Sequence, residues 1–295
     1  MMEKISAGIV TYNPEMKRLE ENINAIIGQV EEVILLDNAS ANIEEIEKKW
    51  ADNLKITIIK NEENRGIATA LNQIMDYSLK KGYQWTLTLD EDSVVPEDII
   101  ERYMDYMDRE NTAMIVPIIC DRVMNEFDIK EEIDSAYTLV EKAITSGTLM
   151  QNQIWKEVGG FTEELFIDYV DFDYCMKVRL AKYDIVRVNS VKLSHELGNA
   201  SEIKLFAFLE KLCKDGSEWK RRFSELRYTT NHSPERVYYL TRNQYYYIKH
   251  YGPYFDAKKL EKGMRVGWVI KILFEKDKIK KWKAIRNGIK DGKKM

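Results

Sequence analysis

The chain has 295 residues, 44% of them hydrophobic and 32% charged, with a formal net charge of −4. That suits one large α/β domain, or one domain with an extension, and an aromatic content of 11% with scarce proline excludes a disordered chain. The opening "MMEKISAGIVTYNP" has no basic segment followed by a long apolar core, and no apolar run reaches the roughly 18 residues of a spanning helix, so a cytoplasmic protein without signal peptide or anchor is expected.

The first half alternates short apolar runs with helical patterns. "KISAGIVTY" (4–12) reads as a strand stopped by Asn13-Pro14. In 15–29, Met16, Leu19, Ile23, Ile26 and Ile27 recur at helical spacing. "EEVILLDNAS" (31–40) is a second strand, and 42–51 a helix with Asn42 at its N-cap and Glu45 three positions on. "LKITIIKN" (54–61) is a third strand; 64–82 is a loop and helix closed by Gly82. "WTLTLD" (85–90) is a fourth strand, 96–108 a helix opened by Pro96, and "AMIVPIICD" (113–121) a fifth strand. The second half is less regular: a strand, a short helix around Trp155 and a Gly-Gly turn in 142–161, an acid-led helix in 165–183, strands in 184–201 and a tyrosine-rich helix in 234–251.

This order predicts an open, mostly parallel sheet covered by helices on both faces, with ligands beyond the carboxyl ends of the strands. The polar residues at those ends are Thr11, Tyr12 and Asn13; Asp37 and Asn38; Asn61 and Asn64; and the triplet Asp90, Glu91 and Asp92. Three adjacent acids at the end of a buried strand repel one another and need a compensating cation. Carboxylates at Asp90 and Asp92 are hard ligands that suit Mg²⁺ or Mn²⁺ shared with phosphate oxygens. Strand alternation turns Glu91 to the other side, which makes it dispensable. A second acid group, Asp168, Asp171 and Asp173, precedes or opens a helix. Capping accounts for one of the three; a general base is the other use.

Several classes lose their support. Neither GxGxxG nor GxxxxGK[ST] nor HExxH occurs, and there are three histidines, His195, His232 and His250. Cys120, Cys175 and Cys213 are odd in number and far apart, as for free thiols in a reducing compartment. A nucleotidyltransferase, which also pairs Asp residues on an α/β sheet, would want a Gly-rich basic loop where "TYNPEMKRL" stands. Residues 256–295 carry 14 Lys and Arg against 5 acids, a net +9 that leaves −13 on the first 255 residues. Met264, Trp268, Leu273 and Trp282 lie among those lysines, so an anionic lipid surface is an expected partner, with helices packing on the catalytic domain as the plainer reading.

Taken in order, "IVTYNP" (9–14), "LLDNAS" (35–40), "NRGIATALN" (64–72), "LDEDS" (89–93), "SGTLM" (146–150), "GGFTEELFIDYVDFDYCMKVR" (159–179) and "HELGNAS" (195–201) resemble the family 2 inverting glycosyltransferases of GT-A fold, over roughly residues 4 to 250. "FIDYVDFDY", "KLSHELG" and "YYLTRNQYYYIKHY" look most like bacterial rhamnosyltransferases of surface-polysaccharide assembly. The resemblance implies an α/β GT-A domain over 1–250, with a nucleotide-sugar half to about 121 and an acceptor half beyond it, then a basic helical extension over 251–295. It implies a base pocket at Thr11, Tyr12 and Asp37, base and diphosphate contacts at Asn64, Arg65 and Gly66, a D-x-D pair at Asp90 and Asp92, and a catalytic base at Asp171. His195 falls where some members add a metal ligand, and Arg242 where an Arg-Asn pair meets diphosphate or acceptor. Two residues depart from the pattern: Val170 stands where many members have Glu, and Lys177 where many have Arg. The implied reaction moves a sugar, L-rhamnose from dTDP-L-rhamnose or a hexose from a UDP-sugar, onto a glycan or lipid-linked oligosaccharide. A divalent Mg²⁺ or Mn²⁺ and contact with the inner membrane surface are implied with it. A homodimer is left open, and no nucleic acid is expected.

Overall fold

The computed structural model describes residues 3–121, 135–195 and 201–295, apart from the side chains of Asp121, Ser194 and His195. The chain divides into two compact units, Met1–His195 and Glu196–Met295.

In the first unit the expected alternation forms as strand β1 (Ile5–Thr11), helix α1 (Met16–Ile26), β2 (Glu32–Asp37), α2 (Ile43–Trp50), β3 (Ile56–Lys60), α3 (Gly66–Lys81), β4 (Trp85–Asp90), α4 (Ile99–Met107) and β5 (Thr112–Asp121). Then come β6 (Tyr137–Leu139), β7 (Thr148–Gln151), α5 (Asn152–Glu157), α6 (Val170–Leu180) and β8 (Asp184–His195). Among the described residues these strands make one eight-stranded sheet, ordered β3-β2-β1-β4-β7-β5-β8-β6. The β1–β4 strands run parallel, as do β5 and β8; β7 is antiparallel to β4 and β5, and β6 to β8. The sheet is therefore mixed but mostly parallel. All seven residues of β1 are buried, which is why it reads as an apolar run without alternation. Leu19, Ile23 and Ile26 of α1, Ile46 and Trp50 of α2 and Tyr103 of α4 complete a core with Ile9, Leu35 and Leu89 of the sheet. Pro117 sits inside β5 where its register against β8 shifts, a place where the missing N–H breaks no ladder bond.

The second unit is mainly helical: α7 (Lys204–Leu212), α8 (Glu218–Leu226), α9 (Pro234–Tyr251), α10 (Ala257–Phe274) and α11 (Lys278–Gly292), with the short strands β9 (Ser201–Glu202) and β10 (Tyr228–Thr229) paired antiparallel. The division after His195 lies well before the boundary expected near 250. The reason is that α9 packs along α11. An added Cβ at Gly292 would stand 2.3 Å from the Arg242 carbonyl oxygen, and one at Gly288 2.8 Å from that of Tyr238. Only glycine allows this backbone approach. Within the same unit, Lys281 Nζ donates to the buried Glu275 at 2.6 Å, and Thr229 Oγ1 donates to the same carboxylate, tying the α10–α11 turn to β10.

Gly292→Ala is expected to destabilise the protein by about 1–3 kcal/mol, the usual cost of overpacking. Gly267→Ala, in α10 with no atom near its Cβ position, is expected to be neutral or stabilising by about 0.5–1 kcal/mol. Denaturant unfolding of the two variants beside wild type checks the pair.

Candidate active site

The parallel registers gather the site. Thr11 lies opposite Asp37 across β1 and β2, and Val10 opposite Asp90 across β1 and β4, so three carboxyl ends meet on one rim. Thr11 and Asp37 are almost wholly buried. Thr11 Oγ1 donates to Asp37 Oδ1 at 3.2 Å, and the Ser40 N–H to Oδ2 at 2.9 Å, so each oxygen keeps one further lone pair for a ligand. Tyr12, just past the strand, is 49% exposed.

Asn38 ties β2 to the start of α3. Its Nδ2 donates to Asn64 Oδ1 at 2.9 Å, and its Oδ1 accepts the Arg65 N–H at 3.0 Å and Asn61 Nδ2 at 3.1 Å. Asn64 Oδ1 also accepts the Gly66 N–H at 3.0 Å. Gly66 has φ +80°, and a Cβ there would lie 2.6 Å from the Phe166 carbonyl oxygen. That carbonyl accepts the Ile67 N–H at 2.7 Å. Gly66 is therefore the point where α3 and the segment leading to α6 touch. Further along the same helix, Asn72 repeats the coupling: Nδ2 donates to the Phe161 carbonyl at 2.9 Å, and Oδ1 accepts the Phe161 N–H at 2.8 Å.

The acid triplet forms a turn, closed by the Ser93 N–H on the Asp90 carbonyl at 3.2 Å. Strand alternation stops at Asp90, and Glu91 does not point away. Its carboxylate accepts the Tyr12 N–H at 2.7 Å. The expected dispensability of Glu91 is thus corrected: it joins the ends of β4 and β1. Burial pushes the Glu91 carboxyl up to about 7; Asp92, Asp90 and Asp37 push the same way, against the Tyr12 N–H. Two residues outside the expected set also hold the turn. Asn22 of α1, wholly buried, donates from Nδ2 to the Asp90 carbonyl at 2.7 Å. Ser146 Oγ accepts the Asp90 N–H at 3.2 Å and donates to Ser93 at 2.7 Å. The signal for Asn22 was an amide on the apolar face of α1, between Leu19 and Ile23.

The second acid group separates by role. Asp173 is buried, accepts from Thr162 Oγ1 at 2.6 Å and lies 3.4 Å from Lys177 Nζ, which also donates to the Gly160 carbonyl at 2.8 Å. Asp173 and Lys177 therefore lock the Gly-Gly turn onto α6. Val170, immediately before Asp171, is buried. Asp171 Oδ1 accepts the Phe172 N–H at 2.8 Å. Burial pushes the Asp171 carboxyl up to about 7, against that N–H; Asp168 and Asp90 add to the rise. Asp171, on the segment tied to α3, thus feels Asp90, on β4. Phe166, Asp168 and Tyr169 all have left-handed backbone, with φ of 63°, 64° and 67°. Non-glycine residues adopt this only when their surroundings hold them there.

Asp90 is half-buried and Asp92 exposed, and both add to the field at Glu91. Among the described residues no group of three His, Cys, Asp or Glu forms a closed metal cluster. Two carboxylates such as Asp90 and Asp92 are hard donors, the chemistry that suits a divalent cation whose other ligands are ligand oxygens or water. The backbone of His195 pairs with Asp121, but its expected ligand role falls on a side chain outside the described residues. Arg242 belongs to the second unit, where its guanidinium stands over the rings of Tyr239 and Tyr238, 4.8 and 5.8 Å from their centroids.

A sheet of this topology, with paired acids and a raised carboxyl on its ligand rim, matches a known enzyme class. Residues 6–186 match the family described as Glycosyl transferase family 2, and the chain belongs to it. It is 31% identical to the dTDP-rhamnosyl transferase RfbF of Shigella flexneri, over 84% of this chain and 81% of RfbF. In fold it is similar to S. aureus TarS 1–349 in complex with UDP-GlcNAc, at a TM-score of 0.58 and 16% identity, covering 98% of this chain and 80% of that one. It is also similar to GalNAc-T7 crystallised with UDP, GalNAc and Mn²⁺, at a TM-score of 0.57 and 14% identity. That match covers 76% of this chain and 54% of GalNAc-T7, so the chain spans about half of that protein. The protein is a glycosyltransferase of GT-A fold.

The raised Asp171 carboxyl carries a stability consequence. Its folded value, about 7, lies above the ordinary value of 3.8, so the folded state holds a proton that the unfolded chain has lost between those limits. Stability is therefore lost as pH rises through that window. Asp171→Asn is expected to raise the stability of the ligand-free, metal-free protein at pH 8 by about 1–3 kcal/mol, with the gain shrinking toward pH 4. Thermal unfolding across that range checks it.

Proposed function

We propose that this glycosyltransferase moves L-rhamnose from dTDP-L-rhamnose, with inversion, onto a glycan or lipid-linked acceptor in cell-surface polysaccharide synthesis. The observation that carries the chemistry is Asp171, a carboxyl pushed up to about 7 beside Asp90 on the ligand rim. A general base works best when its affinity for protons is matched to the operating pH. The donor assignment rests on the likeness to RfbF. That alignment spans 268 residues, more than the 195 of the first unit, so the likeness extends into the second unit.

In this reading Asp171 accepts the proton of the acceptor hydroxyl as its oxygen attacks the anomeric carbon from the face opposite the leaving diphosphate. One base and one displacement give inversion without a covalent intermediate. Tyr12 stacks on the base; Thr11 and Asp37 floor its pocket, with a spare lone pair of Asp37 accepting the pyrimidine imide N–H. Asn64, Arg65 and Gly66, at the start of α3, face the diphosphate, and Arg242 serves diphosphate or acceptor. Asp90 and Asp92, with His195, would hold Mg²⁺ or Mn²⁺. The bound cation neutralises charge growing on the diphosphate. Acid crowding on the rim supports a cation there independently of the relatives.

No helix among the described residues is long and apolar enough to cross a membrane. A cytoplasmic protein touching the inner leaflet through its basic residues 256–295 suits a lipid-linked acceptor.

Asp171→Asn is expected to lower kcat by about 10²–10⁴ while leaving nucleotide affinity within about twofold. Wild-type kcat/KM should fall as pH drops through about 7, because protonated Asp171 accepts nothing. Unchanged turnover of the variant would reject the base assignment. Release of dTDP or UDP across a donor panel, with EDTA and with Asp92→Asn, tests donor and cation together. dTDP-rhamnose is expected to lead, and chelation to stop the reaction. A UDP-sugar leading instead would move the assignment to a galactosyl- or glucosyltransferase, since thymine differs from uracil by one methyl group.

A further inference from the structure

We infer that α7 is a docking face for an anionic lipid surface. The helix carries its apolar residues on one face, and that face is largely exposed. Ile203, Ala207 and Glu210 turn inward, each below a tenth exposed. On the other side Leu205, Phe208 and Leu212 are 51%, 59% and 67% exposed. Their spacing of three and four residues puts them on one stripe, about half a turn away from Ala207. An ordinary surface helix would carry charge there. Trp219, at the start of α8, is 62% exposed and held beside α7 by stacking: its ring lies 6.0 Å from Phe223, which lies 6.2 Å from Phe206.

Charge decides the occupant. Lys204 and Lys211, both exposed, flank the stripe. The whole second unit has 24 Lys and Arg against 12 Asp and Glu, a net +12. A second copy of the same face would bring like charge against like charge. An anionic leaflet accepts the apolar stripe and the lysines together, the pattern of a helix lying in a membrane interface. Nine residues span about 14 Å, too short to cross a bilayer, so α7 lies on the surface. This rests on the lipid-linked acceptor reading and goes beyond it by placing the contact outside residues 256–295.

The test is co-sedimentation of the full chain with phosphatidylcholine vesicles, with and without phosphatidylglycerol. Wild type is expected to bind the anionic vesicles in a salt-sensitive way. The triple variant Leu205→Ser, Phe208→Ser and Leu212→Ser should bind at least about tenfold more weakly, with unchanged circular dichroism and unchanged transfer to a soluble acceptor. Lys204→Glu with Lys211→Glu should weaken anionic binding while leaving the apolar stripe intact. If the triple variant binds like wild type while Ile279→Ser with Trp282→Ser releases the protein, the contact belongs to 256–295, and α7 docking is overturned with the broader reading standing. If wild type binds no vesicle, membrane contact is overturned, and the donor panel still decides the chemistry on its own. A wild-type dimer that the triple variant splits, without vesicle binding, would assign the face to self-association and overturn the proposal.

Discussion

Burial of carboxylates crowded on one rim governs the sheet unit of this molecule. Asp37, Asp90, Glu91 and Asp92 share the carboxyl ends of three neighbouring parallel strands, and Asp171 with Asp168 feels the same field. Backbone donors answer part of it, from Ser40 to Asp37, Tyr12 to Glu91 and Phe172 to Asp171. Burial, with the neighbouring acids adding to it, leaves Glu91 and Asp171 holding their protons to near pH 7. A soft scaffold would relax such a cluster by letting the acids move apart, so a rigid frame is the condition for keeping them together.

The frame is built from short polar links and tolerated strain. Asn38 binds β2 to α3, and Gly66 and Asn72 bind α3 to the segment that carries Asp171. Asn13, Ala39, Phe166, Asp168 and Tyr169 all adopt left-handed backbone on this rim. Each costs about 1–2 kcal/mol. Such outliers persist where surroundings over-determine them, and they gather where acids must be aimed. The same links make α3 the mechanical connection between the segment Asn64 to Gly66 and the segment that carries Asp171.

The second unit follows different rules. Its helices approach closely through Gly288 and Gly292, and a buried Lys281–Glu275 pair fixes the turn between two of them. Burying a charge pair is rarely a large net gain in stability, but it specifies one arrangement of the α10–α11 turn. Its charge is opposite to that of the catalytic unit, −16 in the first 195 residues against +12 in the rest. An acidic unit and a basic unit thus lie in one chain.

Family resemblance singled out Asp171 among three neighbouring acids, while the sequence alone determined the βαβα order, the polar rim and the acids at Asp90 and Asp92. Those readings rest on local periodicity and on the rule that parallel strands present ligands at their carboxyl ends, and neither needs distant contacts. Other features were beyond its reach. Glu91 meets the Tyr12 N–H across 79 residues of chain, and Asn22 meets the Asp90 carbonyl across 68. The α7–α8 pair went unpredicted; α7 turns its apolar face outward and buries Ala207 and Glu210 instead, the reverse of the rule by which periodicity is read. Assignment of α9 to the second unit depends on glycines that read as nothing until α11 lies against them. Periodicity states which face of an element is apolar. Which donor meets which acceptor is decided only when the sheet closes its register and the helices settle on it.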